Sequence, residues 1–218
     1  MQIIWHGQSF FEVLAKNENQ ESVKIAIDPF SETIGLRVPK VEANILLCSH
    51  QHYDHNNKKA ILGNPFLIEE PGEYEVKGIY IKGVNAFHDN SQGKERGIVT
   101  MFTIEAENIK ICHLSDFGQK ELTATQLESL GDIDVLMVPV GGIYTISARE
   151  ALGIISQIEP KIVIPMHYSI PRLKIKLDSL DKFLKVMGRD SVVPEKKLKL
   201  KADNLPREEL EVIVLQPL

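Results

Sequence analysis

The sequence predicts an α+β fold in which two β-sheets, mostly antiparallel or mixed, pack face to face with helices on the outside. Strand-like segments rich in Val, Ile and Phe occur in both halves of the chain, and a helix or two follows each set of strands. No linker rich in Pro, Gly or Ser and no repeat interrupts the chain. Residues 1–218 are therefore expected to form a single domain.

Twelve segments bounded by turn residues have the hydrophobic pattern of β-strands. Hairpin turns are predicted at Gly72-Glu73 and at Glu107-Asn108, because Gly and Asn favour tight turns. In the segment 195–201 lysine alternates with leucine, which predicts a half-buried edge strand with its lysines outward. The twelve predicted strands are residues 2–5, 9–15, 23–28, 44–48, 65–70, 73–77, 78–82, 98–105, 108–113, 134–139, 161–165 and 211–216.

Helical patterns connect some of these strands. The best-defined helix begins at Ser147, a candidate N-cap, and Glu150 completes a capping box with it. An apolar stripe at helical spacing follows, and Pro160 ends the helix because proline cannot continue its hydrogen bonds. The four predicted helices are residues 56–61, 123–130, 147–158 and 178–187.

The composition is that of an ordinary soluble globular protein, with 43% apolar and 25% charged residues. The net charge of −5 argues against a nucleic-acid partner, because phosphate binding depends on clustered Lys and Arg. The lysines of 195–201 form the longest charge-rich segment, and an edge strand explains their alternation better than a nucleic-acid surface does.

The sequence also predicts the compartment. No positively charged segment followed by an apolar core opens the chain, and no apolar stretch approaches the roughly 18 residues of a membrane helix. Cys48 and Cys112 both lie in strand-like runs, which predicts buried reduced thiols, with thiolate metal ligation as the alternative. A cytoplasmic protein without a membrane partner is expected, and its oligomeric state is left open.

The segment 49–56 reads Ser-His-Gln-His-Tyr-Asp-His-Asn and directly follows an apolar run. In an extended segment His50 and His52 point to the same side and can bind one ion. Asp54 and His55 are adjacent, so a turn must bring them to a common site. Imidazole and carboxylate suit zinc, manganese and iron. Because so dense a group of histidines is improbable in an ordinary polar loop, we interpret the segment as a metal site.

Three further candidate ligands each come just after a β-branched, strand-like run. They are His88, Asp116 and His167. Loops that follow strands are where a rigid scaffold presents functional side chains, so these residues are expected to complete the metal site.

The chain resembles the metallo-β-lactamase superfamily, whose hallmark is a His-x-His-x-Asp-His loop followed by isolated His, Asp and His ligands. More narrowly, it resembles a small single-domain branch of zinc-dependent hydrolases related to L-ascorbate-6-phosphate lactonases. The resemblance covers residues 2 to about 170. Its motifs are Ile27-Asp28-Pro29-Phe30, the 49–56 loop, Phe87-His88-Asp89, Arg96-Gly97, His113-Leu114-Ser115-Asp116-Phe117-Gly118, the stretch from Val138 to Ile146, and Ile164-Pro165-Met166-His167-Tyr168.

The resemblance implies a four-layer αββα sandwich that holds two divalent metal ions, with zinc preferred over manganese or iron. It also implies how the ligands divide. His50, His52 and His88 would hold the first ion, Asp54, His55 and His167 the second, and Asp116 would bridge both.

The implied activity is metal-dependent hydrolysis of a small ester, lactone, amide or phosphodiester by a hydroxide that bridges two ions. The candidate catalytic residues are Asp54 and Asp116, and either Asp54 or a metal-bound water would manage the proton. No Gly-x-Ser-x-Gly elbow or phosphate-binding loop offers another mechanism. The alternatives are a metal or ligand sensor without turnover, a nuclease-type phosphodiesterase, and a di-iron redox protein. The last two would need an added domain, and the redox protein a Glu in place of His52.

The chain departs from the branch at two positions, where relatives usually carry histidine and this sequence has Gln8 and Gln119. His6 lies two residues before Gln8, and in an extended strand it would stay on the same face and could replace the missing imidazole. Whether His6, Gln8 or Gln119 takes part in the site is left open.

Other residues beside the ligand loops have two interpretations each. Asp28 either supports a ligating histidine by a hydrogen bond or forms a turn before proline. His113 is expected to be a packed strand histidine. Further candidates for lining the pocket or holding an anionic substrate, against ordinary burial or surface charge, are Tyr144, Thr145, Tyr168, Lys94, Arg96 and Arg172.

Overall fold

The computed structural model describes all 218 residues and contains fifteen strands, three α-helices and three short 3₁₀-helices. The 3₁₀-helices are Glu32–Ile34, Lys58–Ala60 and Ala202–Asn204. The strands are β1 (Gln2–Gly7), β2 (Phe10–Lys16), β3 (Ser22–Ile27), β4 (Val41–Glu42), β5 (Ile45–Leu47), β6 (Ile61–Leu62), β7 (Phe66–Ile68), β8 (Gly72–Val76), β9 (Ile79–Phe87), β10 (Ile98–Ala106), β11 (Ile109–His113), β12 (Val135–Pro139), β13 (Ile162–Met166), β14 (Leu198–Lys199) and β15 (Glu211–Val212); the α-helices are α1 (Ala124–Leu130), α2 (Ala148–Ile158) and α3 (Leu180–Val186).

Two mixed sheets make up most of the fold. The first has six strands in the order β14-β1-β2-β3-β5-β7, and the second has seven in the order β15-β13-β12-β11-β10-β9-β8. The N-terminal strands thus build one sheet and the central strands the other, while β14 and β15 return the C-terminal region to an edge of each. Within the second sheet β11, β12 and β13 are parallel and β8 to β11 are antiparallel.

The main hydrophobic core lies between the two sheets, as the alternation of side chains along each strand requires. In β2 and β3, Phe11 and Ile25 face the second sheet and are fully buried. Phe10 and Ala26 point the opposite way, into a smaller cluster of ten residues with Phe30. The α+β prediction and the packing of two sheets face to face are confirmed.

The outer layers differ on the two sides. All three α-helices belong to the second sheet, because α1 contacts β9, α2 contacts β12 and α3 packs on α2. The six-stranded sheet is covered instead by loops and short 3₁₀-helices, which bring Ile34 and Ala60 into the smaller cluster. Helix α2 begins with the predicted capping box between Ser147 and Glu150.

All twelve predicted strands are found, but some local predictions are wrong. Residues 56–61 form one 3₁₀ turn followed by β6 rather than a helix. Gly72-Glu73 is no hairpin turn, because β7 and β8 belong to different sheets. A turn signal reports local backbone conformation and cannot show whether the strands on either side pair. The turn at Glu107-Asn108 does join two antiparallel strands, and both residues have the positive φ of a type I′ hairpin.

The edge-strand prediction for 195–201 is confirmed in a shorter form. Strand β14 pairs with β1 at the sheet edge, and Leu198 and Leu200 are buried while Lys199 is exposed. Cys48 and Cys112 are free and buried, and burial raises the pKa of the Cys112 thiol to about 12. No helix in the structure combines the length and apolar character that a membrane crossing needs.

Candidate metal centre

The sheet topology brings the predicted ligands together at one end of the sandwich, where strands of both sheets terminate. In the second sheet β9, β11 and β13 run in the same direction, so their C-terminal ends lie at the same end of the sheet. The candidate ligands that follow these strands, His88, Asp116 and His167, therefore lie close together. The loop after β5 of the first sheet contributes the remaining four ligands from 50–55. The centre is therefore built from both sheets.

The first group of candidate ligands consists of His50, His52 and His88, with one ring nitrogen of each within 4.8 Å of the others. His50 Nε2 lies 2.9 Å from His52 Nδ1. The expectation that these two rings share a side is confirmed, and three converging imidazole nitrogens are a donor set for one divalent ion.

The second group consists of Asp54, His55, Asp116 and His167, again with ligand atoms within 4.8 Å. Asp116 lies between the two groups. Its Oδ1 is 3.2 Å from His55 Nε2, and its Oδ2 is 3.4 Å from both His167 Nε2 and His88 Nε2. The structure thus brings all seven predicted ligands together.

The donor atoms fit a metal better than they satisfy one another. His55 Nε2 and Asp116 Oδ1 are buried and make no hydrogen bond, although they are close, because their relative orientation is unsuitable. Buried polar atoms in native proteins are nearly always paired, so these two point to a missing partner. A divalent cation would satisfy both, and the imidazole and carboxylate donors suit zinc, manganese or iron.

Asp28 holds the histidine rings in the metal-binding orientation. Its Oδ2 accepts a hydrogen bond from His55 Nδ1 at 3.0 Å, which leaves Nε2 free for an ion. The Ser49 hydroxyl donates to the same carboxylate at 2.6 Å and lies 2.9 Å from His50 Nδ1. Because the Ser49 hydroxyl donates its proton to Asp28, the proton between Ser49 and His50 must be carried by His50 Nδ1. His50 Nε2 is then unprotonated and faces the metal centre. Of the two interpretations of Asp28, the supporting role is the one observed.

Burial and neighbouring charges bring three of the donors into the forms that bind metals. Burial is the largest effect on His50, and with His55 it lowers the pKa of that imidazole to about 3, so the ring is neutral. Burial alone would raise the pKa of Asp116, but His167 and His55 hold it well below its usual range. His55 likewise outweighs burial at Asp54 and lowers that pKa to about 2. Both carboxylates are ionised at neutral pH. At His55 burial is outweighed by the Asp116 and Asp54 carboxylates, which raise the pKa of that imidazole well above its usual range, so a metal ion would have to displace a proton there.

Four residues around the centre have a left-handed backbone although none is glycine. They are Gln8, Asp28, Ser115 and His167, with φ between 51° and 54°. Such residues persist only where the surrounding structure holds them, and they are concentrated at functional sites. Each lies just past the end of a strand, where the turn directs its side chain or backbone toward the ligands.

Gln8 supports two ligands of the second group at once. Its Nε2 donates to Asp54 Oδ2 at 3.0 Å, and its backbone carbonyl accepts from the His167 N–H at 3.1 Å. The interpretation in which His6 replaces the missing imidazole is wrong. His6 lies beside Glu12 and lines a separate cavity, because a β-bulge at the end of β1 breaks the strand alternation.

Replacing Gln8 by alanine is expected to lower the affinity for the second ion by roughly ten- to a hundredfold, the usual effect of removing a group that orients a ligand. The first ion should be retained, because Gln8 contacts none of its ligands. Dissociation constants for added zinc, measured by competition with a chromogenic chelator, test this. The matched control is Gln20→Ala, which removes an exposed glutamine at a similar positive φ of 64°. Equal zinc binding by Gln8→Ala and the control would contradict the assignment.

Gln119, the second departure from the branch pattern, lies behind the centre. Its Oε1 accepts from the Phe87 N–H at 2.8 Å, and its Nε2 is 3.1 Å from Gln126 Oε1. It therefore fixes the end of β9 just before His88. His113 is fully buried and bonds the Ser9 carbonyl at 3.0 Å, as a packed strand histidine should.

A cleft of about 480 Å³ opens over the ligands. Of the candidate lining residues only Arg96 and Tyr144 line it, while Lys94, Thr145 and Tyr168 do not, and Arg172 lines another cavity. Six further residues of the cleft were not predicted from the sequence, although a lysine pair at two-residue spacing soon after His167 was a usable signal. These six residues are Thr33, Ile34, Tyr53, Lys174, Ile175 and Lys176.

A fold of two packed mixed sheets, with a set of His and Asp donors at the end that both sheets share, is that of a metal-dependent hydrolase of metallo-β-lactamase type. The chain belongs to the β-lactamase superfamily, since the family model described as "Beta-lactamase superfamily domain" matches residues 2–167. The resemblance inferred from the motifs is thereby confirmed.

Individual relatives agree with this assignment. A UPF0173 metal-dependent hydrolase of Thermococcus onnurineus is 29% identical over 191 residues, covering 75% of this chain and 82% of the relative. A UPF0173 protein of Pyrococcus abyssi is 30% identical over 186 residues, with 77% and 83% covered. A Thermotoga maritima crystal structure, assigned to the Zn-dependent hydrolases of the metallo-β-lactamase superfamily, is 38% identical, covers 98% of both chains and has a TM-score of 0.78. The chain is a metal-dependent hydrolase.

Proposed function

We propose that the chain hydrolyses a small ester, lactone, amide or phosphodiester with two divalent ions, zinc preferred over manganese or iron. His50, His52 and His88 would hold the first ion, Asp54, His55 and His167 would hold the second, and Asp116, which lies between the two groups, would serve both. The observation that carries the proposal is the position of Asp116, whose two oxygens lie within 3.4 Å of imidazole nitrogens from both groups.

When bound, two such ions supply a nucleophilic hydroxide from water near neutral pH and polarise the oxygen of the bond to be cleaved. Asp54 is assigned the proton released in the attack because its carboxylate lines the cleft beside the other ligands and is held there by Gln8. The attacking group in this proposal is water-derived, and no side chain is assigned a covalent intermediate. A small-molecule substrate and a cytoplasmic location remain predictions.

Two ions per chain are the expected stoichiometry after loading with zinc or manganese. His50→Ala should remove the first ion and His167→Ala the second, each leaving about one ion, because the two residues belong to different groups. Elemental analysis of gel-filtered protein measures this. His6→Gln is the control and should keep both ions, since His6 lies outside the centre.

The same loaded protein should turn over members of a panel of esters, lactones, amides and phosphodiesters. A chain that never exceeds one ion would disprove the binuclear arrangement. Two bound ions without turnover on any member of the panel would instead favour a sensor that keeps the site without catalysis.

A further inference from the structure

The wall of the cleft carries three cationic side chains, Arg96, Lys174 and Lys176. None of them forms an ion pair anywhere in the structure. Other lysines do find carboxylates, as Lys161 does with Asp134 and Lys182 with Asp178, both at 2.6 Å. Only five of the 25 Lys and Arg residues are paired with a carboxylate in this way, so what distinguishes Arg96, Lys174 and Lys176 is that they lie together beside the ligand groups.

The cleft offers these cations no carboxylate of its own. Its only acidic residues are Asp54 and Asp116, and the proposed ions take up both. Its other polar groups are the hydroxyls of Thr33, Tyr53 and Tyr144, beside the ligand histidines. With the ions bound, the whole cleft has a positive potential, which favours an anionic ligand.

The backbone that carries the cations is fixed at several points. Lys174 and Lys176 both line the cleft although they flank a bend at Ile175, which lines it too. The Lys174 N–H donates to the Ile34 carbonyl at 2.8 Å, and the Asp178 N–H donates to the Gly141 carbonyl at 2.8 Å. Across the cleft the Arg96 guanidinium lies 4.7 Å from the centre of the Tyr144 ring, a cation–π contact that orients it.

We infer that the substrate carries, apart from the bond that is cleaved, a phosphate or carboxylate that Arg96, Lys174 and Lys176 hold while the cleaved bond lies over the ligands of the metal centre. This inference rests on the proposed function and specifies its substrate class. The volume of about 480 Å³ suits a small molecule. The anionic group is a handle for binding and is not itself hydrolysed.

Three para-nitrophenyl esters with the same acyl length test the inference on zinc-loaded protein. One ends in a methyl ester, one in a carboxylate and one in a phosphonate. We expect kcat/KM for a charged ester to exceed that for the neutral one by about tenfold or more, the typical effect of a hydrogen bond to a charged group. The double variant Lys174→Gln/Lys176→Gln, and separately Arg96→Gln, should remove this preference, because KM should rise more for the charged esters than for the neutral one.

Lys94→Gln is the matched control, because Lys94 is an exposed cation in the same loop as Arg96 but does not line the cleft. It should behave as the unchanged protein does. The two charged esters distinguish phosphate from carboxylate recognition by which of them loses more in the variants. A wild-type protein that treats all three esters alike, or variants that affect all three equally, would refute the inference.

A binding measurement separates this inference from the hydrolase proposal. If no ester is turned over, calorimetric titration of the zinc-loaded protein with phenylphosphonate and with benzoate still tests whether Arg96, Lys174 and Lys176 bind an anion. Binding weakened about tenfold in the double variant would support the anion site although the hydrolase proposal fails on these esters. Equal binding by both proteins would overturn the inference, since any attraction to the ions alone is common to both.

Discussion

Replacing Asp116 by alanine is expected to lower kcat/KM by roughly three orders of magnitude, because stabilisation of several kcal/mol from the metal site is lost. Asp116 is buried and is the one side chain whose oxygens approach imidazoles of both ligand groups. Its loss should therefore weaken the binding of both ions, whereas the loss of His50 or His167 should affect only one. Metal content after gel filtration and steady-state kinetics on the best substrate of the panel measure the two effects.

Two further variants make this result specific. Asp116→Asn keeps the size of the side chain and removes its charge, so reduced metal content in this variant identifies the charge as the cause. Asp190→Ala, the loss of an exposed aspartate far along the chain from every ligand, should change neither quantity. Two tightly bound ions and full turnover in Asp116→Ala would show that Asp116 does not bridge the ions.

Alanine at Gly118 or Gly141 is expected to destabilise the fold by about 3 kcal/mol each, at the upper end of the cost of overpacking. A Cβ at Gly118 would overlap the backbone of His88, and one at Gly141 would overlap the carbonyl oxygen of His167. Backbone cannot move aside as a flexible side chain can. Thermal unfolding should show a fall in Tm of roughly 6–12 °C for a chain of this length.

The two glycine variants should also differ in which ion they lose. Gly118→Ala displaces a ligand of the first group and Gly141→Ala a ligand of the second. Gly153→Ala is the control, because Gly153 lies within α2 with open space around it, and alanine there should stabilise the helix by about 0.5–1 kcal/mol. If all three variants unfolded at the same temperature with both ions bound, the close approach would not be what fixes the ligands.

The ligands could be predicted from sequence because each lies next to a strand that the hydrophobic pattern also reveals. His88, Asp116 and His167 are far apart in the chain, yet each follows a buried strand, and the ends of like-directed strands meet at one edge. Which support residue faces the centre could not be predicted the same way. The choice between His6 and Gln8 depended on a β-bulge, which reverses the alternation that the prediction assumed.

Loop paths account for most of what the sequence did not reveal. Lys174 and Lys176 reach the cleft because the segment after His167 folds back onto the 3₁₀-helix Glu32–Ile34, a contact between distant parts of the chain. Nothing in the local pattern of either segment reports that contact. Residues 69–71 likewise connect the first sheet to the second. The sequence around Gly72 would suit a hairpin turn within one sheet equally well, so it could not show this connection.

The division of the ligands between the two sheets has a consequence for stability. Four ligands belong to the loop after β5 in one sheet and three follow strands of the other, so bound ions are cross-links between the two halves of the sandwich. Binding to the native state alone adds about 2.7 kcal/mol per site when free metal is a hundred times its dissociation constant. The folding equilibrium is thus linked to metal supply, and chain that lacks metal in a depleted cell is also the chain most exposed to unfolding and proteolysis.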